Sequence, residues 1–156
     1  MRNSSSASKT EILDGRECWE LLRAESLGRL AVCPDGRPEI FPVTYLTERE
    51  SVVFRTGPGT KLTAAMSDAP VAFETDGIDT ARNTAWSVVV KGTAIALEHT
   101  DEFKDSPAYR LRAWQAGPKD HFVRIVPDEV TGRRFTIGAP HAWDLSLKDA
   151  TRSGLE

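Results

Sequence analysis

The stretch AWSVVVKGTAIAL, residues 85–97, carries the clearest strand pattern in the chain. Apolar side chains recur at every second position through Val88 and Val90 and again after Gly92, which is the period of a β-strand. A glycine inside a strand often marks a β-bulge. We therefore predict one long strand with an irregularity at Gly92.

Further segments with strand character lie on both sides of this stretch. Most are separated by short turn signals, such as PDG at 34–36 and TERE at 47–50, and turns this short join antiparallel neighbours. About six strands connected in this way predict an antiparallel sheet that closes into a barrel. We expect a mainly β (α+β) fold with flanking helices. The other strand segments are GRLAVC (28–33), RPEIFPVTYL (37–46), SVVFRT (51–56), PVAFET (70–75) and HFVRIVPDEVTGRRFTI (121–137), the last long enough for one or two strands.

The first helix is predicted in LDGRECWELLRAES, residues 13–26. Asp14 followed by Glu17 has the form of a capping box, and Leu13 with Cys18 has the spacing of a hydrophobic staple. The apolar face of this helix continues through Leu21 and Leu22, and we expect it to end near Ser26. Two further helical segments are predicted at 60–66 and 100–115, the latter interrupted by Pro107.

Length and charge restrict the class of protein. The 156 residues predict one domain over 11–137, after a disordered leader at 1–10 and before a tail at 138–156 without clear pattern. A net charge of −3 argues against nucleic acid as the main partner. No apolar run approaches the roughly 18 residues of a membrane span. Cys18 and Cys33 are expected to be buried free thiols, and the protein is expected to be cytoplasmic.

The corner FRTGPGTKL, residues 54–62, combines groups that bind anions. Its glycines stand too close together for a Walker loop, and Leu62 occupies the place of the third glycine of a dinucleotide fingerprint. What remains is a strand end, a Gly-Pro-Gly turn and a helix start capped by Thr60, where free N–H groups attract anions. Arg55 and Lys61 add full charges. The alternative is a capped turn with two solvated cations.

Several motifs, in order, resemble the flavin-binding split-barrel proteins related to pyridoxamine 5′-phosphate oxidase. The resemblance extends over about residues 14–136, through LGRLAV, GRPEIFPVTY, VVFRTGPGTKL, APVAFETDGID, AWSVVVKGTA and EVTGRRF. It implies a six-stranded antiparallel split barrel that forms a homodimer and binds FMN at the subunit interface. A deazaflavin coenzyme or haem in the same cleft is the alternative.

The resemblance also implies which residues contact the cofactor. The corner is expected to hold the phosphate or ribityl chain, and the strand before it to run along the isoalloxazine ring, largely through backbone groups. Trp86 and Ser87 are expected to reach the flavin of the partner chain, although Trp86 is equally consistent with ordinary barrel core. Pro42, in turn, is also consistent with an edge strand or a bulge. The phosphate or ribityl contacts are Arg55, Thr56, Thr60 and Lys61, and the ring contacts are Phe41, Pro42, Val43 and Thr44.

The sequence departs from true pyridoxamine 5′-phosphate oxidases in two places. The segments SPAYRLRAWQAG and EVTGRRFTI do not match the substrate segment and the aromatic-arginine end of those enzymes. No nucleophile–base pair stands out, and the three histidines lack metal-ligand spacing. We therefore expect either an oxidoreductase that passes hydride or electrons between a flavin, or a deazaflavin, and a small molecule, or a non-catalytic binding or sensing module.

Overall fold

The computed structural model describes residues 9–59, 69–112 and 121–138. Two 3₁₀ turns, Pro34–Gly36 and Pro107–Arg110, accompany the regular elements. The predicted helix at 60–66 and most of the predicted leader and tail lie outside the described residues. The elements are β1 Thr10–Leu13, α1 Gly15–Ala24, β2 Leu27–Val32, β3 Glu39–Thr47, β4 Val52–Thr56, β5 Val71–Asp79, β6 Thr84–Leu97, α2 Asp101–Lys104 and β7 His121–Thr136.

Six strands close into an antiparallel barrel in the order β7-β4-β3-β2-β5-β6, with β6 pairing back onto β7. This confirms the predicted six-stranded split barrel. The other edge of β7 pairs first with β4, at His121–Ile125, and then with β1, at Gly132–Phe135. Strand β1 was not predicted, because a four-residue strand is too short to establish a period.

The long strand β6 pairs with β7 over its whole length, and the predicted irregularity at Gly92 is confirmed. Lys91 is opposite Glu129 whereas Gly92 is opposite Pro127, so β7 carries one extra residue, Asp128. A proline cannot donate to the ladder and is tolerated at such a bulge. At Gly92 the β7 backbone leaves no room for a side chain, since a Cβ would stand 2.0 Å from the Val126 carbonyl oxygen.

Helix α1 packs against the barrel interior through its predicted apolar face. Asp14 caps it, accepting a hydrogen bond from the Glu17 backbone N–H at 2.9 Å, and the helix ends at Ala24. Cys18 is fully buried, as predicted. Its Sγ packs against Gly132 of β7 and would be only 2.7 Å from a Cβ at that position. The Tyr45 hydroxyl of β3 donates to a helix carbonyl at 2.6 Å, which ties the helix to the sheet.

The prediction that both cysteines are buried is wrong for Cys33, which is exposed. It follows the last residue of β2 and leads into a tight turn, where Asp35 and Gly36 both have positive φ. Chain leaving a strand for a turn runs over the surface, so its side chains lose the cover of the sheet. The predicted turn between β3 and β4 is also present, with Arg49 and Glu50 at positive φ, as a type I′ turn requires.

The segment that follows β6 packs on the outside of the barrel. The helical segment predicted over 100–115 with an interruption at Pro107 is confirmed in part. It contains α2 and a 3₁₀ turn that begins at Pro107, but residues 111–112 are not helical. Proline lacks the N–H that would continue the helix. A second apolar cluster holds this segment against the sheet, formed by Val53, Phe103, Ala108 and Phe122. In the described ranges, no helix has the length and apolar character to cross a bilayer.

Candidate functional site

The outer face of the barrel carries a row of mostly polar residues on neighbouring strands, which we call the outer band. Directly opposed residues on neighbouring strands project to the same face, and alternate residues on one strand share it. Pro42 on β3 is opposite Arg29 on β2, which is opposite Glu74 on β5, and Asp76 on β5 is opposite Ser87 on β6. The outer band consists of Arg55, Thr44, Pro42, Arg29, Glu74, Asp76 and Ser87.

Arg55 and Thr44, both predicted cofactor contacts, lie together at one end of the outer band. The Arg55 Nη1 donates to the Leu111 carbonyl at 3.3 Å, and its guanidinium lies over the Phe122 ring, 5.1 Å from the centroid. The Thr44 hydroxyl donates to the carbonyl of the next residue, Arg112. The Leu111 and Arg112 carbonyls are consecutive in the chain. The same short segment therefore orients both the Arg55 guanidinium and the Thr44 hydroxyl. A guanidinium has five N–H donors, so this contact is compatible with binding a phosphate.

The β3 residues predicted to line a flavin ring alternate between the two faces. Pro42 is exposed on the outer face, whereas Val43 is 2% exposed and belongs to the core. Phe41 is half-buried and also packs against the core. The ladder between β3 and β4 extends over Tyr45–Thr47. Phe41 and Val43 therefore face the barrel interior with their side chains, and a ring on the outer face would meet them through the backbone.

Other predicted contacts are turned inward or lie outside the described residues. Thr56 is 4% exposed, and its hydroxyl is 3.4 Å from the Gly57 carbonyl. Trp86 is buried in the core, packed where a side chain on Gly77 would stand. Ser87, one residue further along β6, projects to the outer face. Thr60 and Lys61 lie outside the described residues, and their contacts stay predictions.

An ion-paired triad in the middle of the outer band was not predicted. The Arg29 Nε lies 2.9 Å from the Glu74 carboxylate, and an Nη of Arg29 lies 2.8 Å from the Asp76 carboxylate. The alternation in LGRLAV and VAFETD places these three residues on the polar faces of their strands. Their meeting depends on the register between β2 and β5, which the sequence pattern does not contain.

The two carboxyls of the triad titrate differently. Partial burial, together with the hydrogen bond to Asp76, raises the pKa of Glu74, although Arg29 acts in the opposite direction. Burial also penalises the charged form of Asp76, but hydrogen bonds with Glu74 and Arg29 outweigh it and lower the pKa of Asp76. Glu74 therefore holds a proton to higher pH than Asp76. Neighbouring groups whose pKa values move apart are common at functional sites.

A cavity of about 470 Å³ lies elsewhere, near the turn between β3 and β4. Its wall includes the ion pair between Arg124 and Glu48, whose atoms are 3.1 Å apart, and the apolar side chains of Leu97 and Phe103. None of the residues of the outer band lines it. The predicted cofactor residues on the outer face, Pro42, Thr44, Arg55 and Ser87, therefore do not line this cavity.

Apolar side chains are exposed on the same face as Ser87. Ile78 on β5 and Phe135 on β7 are both opposite Ala85 of β6, and Ile12 on β1 is opposite Arg133 of β7. Ile12 is 76% exposed, Ile78 58% and Phe135 36%. Exposed apolar groups that lie together on one sheet face are typical of an interaction surface.

Comparison with known proteins agrees with this architecture. A family model described as pyridoxamine 5′-phosphate oxidase matches residues 14–134. A solved FAD-binding protein from Mycobacterium smegmatis is 34% identical, with a TM-score of 0.63 over 81% of this chain and 98% of its own. A Corynebacterium glutamicum protein is also 34% identical, with a TM-score of 0.70 over 89% and 99%. A FAD-binding protein from Mesorhizobium loti is 26% identical, with a TM-score of 0.71 over 83% and 99%.

The closed six-stranded barrel with its polar outer face places the molecule among the split-barrel proteins, a class that includes flavin-binding proteins. The family model covers most of the 156 residues. The chain belongs to the pyridoxamine 5′-phosphate oxidase family.

Proposed function

We propose that the protein binds a flavin nucleotide on the outer band and acts as an oxidoreductase on a small molecule. The observation that carries the proposal is that the side chains of Arg55 and Thr44 donate to consecutive carbonyls at one end of the band, near the exposed Pro42. The arginine and the hydroxyl suit a phosphate, and the strand suits a flat ring. The resemblance of the sequence to flavin-binding split barrels supports the same arrangement.

The donor set fits a flavin nucleotide in size as well as in chemistry. Continuing the register of β3 and β4 by one residue places Thr44 beside Arg55. Arg55 on β4 and Arg29 on β2 are separated by two strand spacings across the sheet and by two residues along the strand direction. These two perpendicular components give a distance of roughly 12 Å. A ribityl chain with one end of the tricyclic ring can bridge such a span. The phosphate would lie at Arg55 and the ring over Pro42 and Arg29.

FMN is the smallest ligand that uses both ends of this site. FAD carries the same phosphate, and two of the similar solved structures are named as FAD-binding proteins. A deazaflavin coenzyme also joins a flat ring to a phosphate through a ribityl chain and is the alternative. The phosphate contact distinguishes all three from riboflavin, and Thr60 and Lys61 remain its predicted further contacts.

The flavin supplies the redox chemistry when it is bound, and the residues of the chain bind and orient it. Such a division of roles requires no catalytic acid or base from the protein. Oxidation of pyridoxamine phosphate is not proposed, because the two segments that depart from true oxidases lack its substrate residues. A protein that only carries or senses the ligand is the competing function.

The visible spectrum of the purified protein distinguishes these functions. We expect a yellow protein whose absorbance near the flavin maximum bleaches when NADH or NADPH is added without oxygen, because a reductase must accept electrons from a donor. A yellow protein that stays oxidised with every nicotinamide and deazaflavin donor would favour a carrier. A protein that takes up no flavin would contradict the proposed site.

We further propose a symmetric homodimer with the flavin at the subunit interface. The exposed side chains of Ile12, Ile78 and Phe135 lie beside Ser87, and a second copy would cover them. We expect sedimentation to give the mass of two chains, and Ile78→Asp to shift it towards one chain and reduce the bound flavin. The matched control is Ile95→Asp, an exposed isoleucine about 33 Å along β6 from Ala85, the partner of Ile78. A stable monomer with one flavin per chain would contradict the dimer.

A further inference from the structure

The triad of Arg29, Glu74 and Asp76 lies on β2 and β5, beside β3, the strand expected to run along the flavin ring. Arg29 is the register partner of Pro42 on one side and of Glu74 on the other. Asp76 is the register partner of Ser87. A ring that lies over Pro42 and extends across β2 on this face would therefore meet Arg29 of the triad.

The triad holds its arginine in one orientation at little benefit to stability. The side chains of Arg29 and Glu74 are 34% and 30% exposed, and Asp76 is 56% exposed. Ion pairs at such exposure contribute little to the free energy of folding. Two carboxylates, one contacting Nε and one an Nη, nevertheless fix the plane of the guanidinium. The arrangement is more typical of an arginine that is preorganised to bind a ligand than of one that stabilises the fold.

We propose that Arg29, oriented by Glu74 and Asp76, contacts the carbonyl-bearing end of the flavin ring. The inference rests on the proposed flavin site. In it Arg29 contacts the ring of the flavin, whereas Arg55 contacts the phosphate. The family resemblance implies cofactor contacts on β3, in the corner at 54–62 and at the start of β6. Arg29 on β2 is an additional contact.

The chemistry of the two partners is complementary. A guanidinium carries five N–H donors, and the two ion pairs use one each from Nε and Nη. The pyrimidine end of a flavin carries two carbonyl oxygens that accept hydrogen bonds. Negative charge also accumulates at this end when the ring is reduced, and a nearby cation stabilises it. Arg29 should therefore strengthen binding of the ring and make the bound flavin easier to reduce.

The test is Arg29→Gln in the full-length protein, titrated with FMN and with riboflavin. We expect both affinities to fall by the same factor, about tenfold, because both ligands have the ring and the variant loses a charged hydrogen bond to it. The midpoint potential of the bound flavin should become more negative. Arg29→Lys keeps the charge but loses the planar donor geometry, so it should recover the potential more than the affinity.

Arg134→Gln is the matched control. The Arg134 side chain is 35% exposed and also approaches two carboxylates, Glu11 at 3.5 Å and Glu17 at 3.9 Å. Arg134, on β7, is opposite Trp86 of β6, whose side chain is in the core, and so lies on the other face of the sheet from the outer band. We expect this variant to leave both affinities and the potential unchanged while its melting temperature moves about as much as that of Arg29→Gln.

The possible results separate the inference from the proposed function. If the unaltered protein binds flavin and Arg29→Gln changes neither affinity nor potential, the ring assignment is wrong and the flavin site stands. A similar loss in Arg134→Gln would also overturn the assignment, because the effect would then come from general destabilisation. If Arg29→Gln does not fold, Arg29→Lys provides the test. Flavin affinities and a midpoint potential equal to those of the unaltered protein in Arg29→Lys would overturn the ring assignment. Failure of the unaltered protein to bind any flavin would refute both.

Discussion

Replacing Gly92 by alanine is expected to lower the free energy of unfolding by about 3 kcal/mol, near the upper end for an overpacked site. A Cβ at this position would stand 2.0 Å from the Val126 carbonyl oxygen and 2.9 Å from the Pro127 Cα. Both atoms belong to the backbone of β7, so neither can move without separating the strands that close the barrel. Denaturant unfolding followed by circular dichroism measures the change.

Gly15→Ala is the matched control for this substitution. A Cβ on Gly15, the first residue of α1, would meet no atom within 4 Å, and alanine is a better helix former than glycine. We expect a change below about 1 kcal/mol, in the stabilising direction. The prediction would be contradicted if Gly92→Ala and Gly15→Ala changed the free energy of unfolding equally. The β7 backbone would then not restrict the side chain at position 92.

Replacing Arg55 by glutamine is expected to weaken FMN binding by about ten- to a hundredfold and to leave riboflavin binding nearly unchanged. A charge-assisted hydrogen bond contributes roughly 1.5–3 kcal/mol, which corresponds to this range of affinity. Riboflavin lacks the phosphate and so cannot lose the contact. Fluorescence titration with the two ligands measures both affinities. Lys61→Ala should show the same selectivity, since Lys61 is the second predicted cation of the corner.

Arg124→Gln provides the control for Arg55. Arg124 lies on the neighbouring strand β7, is paired with Glu48 at 3.1 Å and lines the cavity away from the outer band. Its loss should affect neither ligand. If Arg55→Gln reduced FMN and riboflavin affinity equally, the arginine would be supporting the local structure through its contacts with Leu111 and Phe122.

Local patterns in the sequence predicted most of the fold. The cap at Asp14, the turn at Arg49 and Glu50 and the irregularity at Gly92 each depend on a few neighbouring residues, and each is present. Strand β1 was missed because its four residues form no period of their own, and its place in the sheet depends on pairing with β7, which is distant in sequence. In the described part of the segment 100–115, helical structure is limited to α2 and a 3₁₀ turn, because Pro107 interrupts the helix as predicted.

The site was harder to predict because it depends on strand register. Adjacent strand residues point to opposite faces, so the side chains of Val43 and Thr44, or of Trp86 and Ser87, cannot all line one site. Alternation alone could have made this distinction. The contact of Arg29 with its two carboxylates could not have been predicted in this way, because it joins β2 to β5 across 45 residues of sequence.

The measurement that tests the central claim most directly is a titration of the ligand-free, unaltered protein with FMN and with riboflavin. We predict that FMN binds at least about tenfold more tightly, because only FMN carries the phosphate that Arg55 and the corner at 54–62 can contact. FAD should share this advantage over riboflavin. Equal affinity for FMN and riboflavin, or no binding of either, would contradict the proposed flavin site on the outer band.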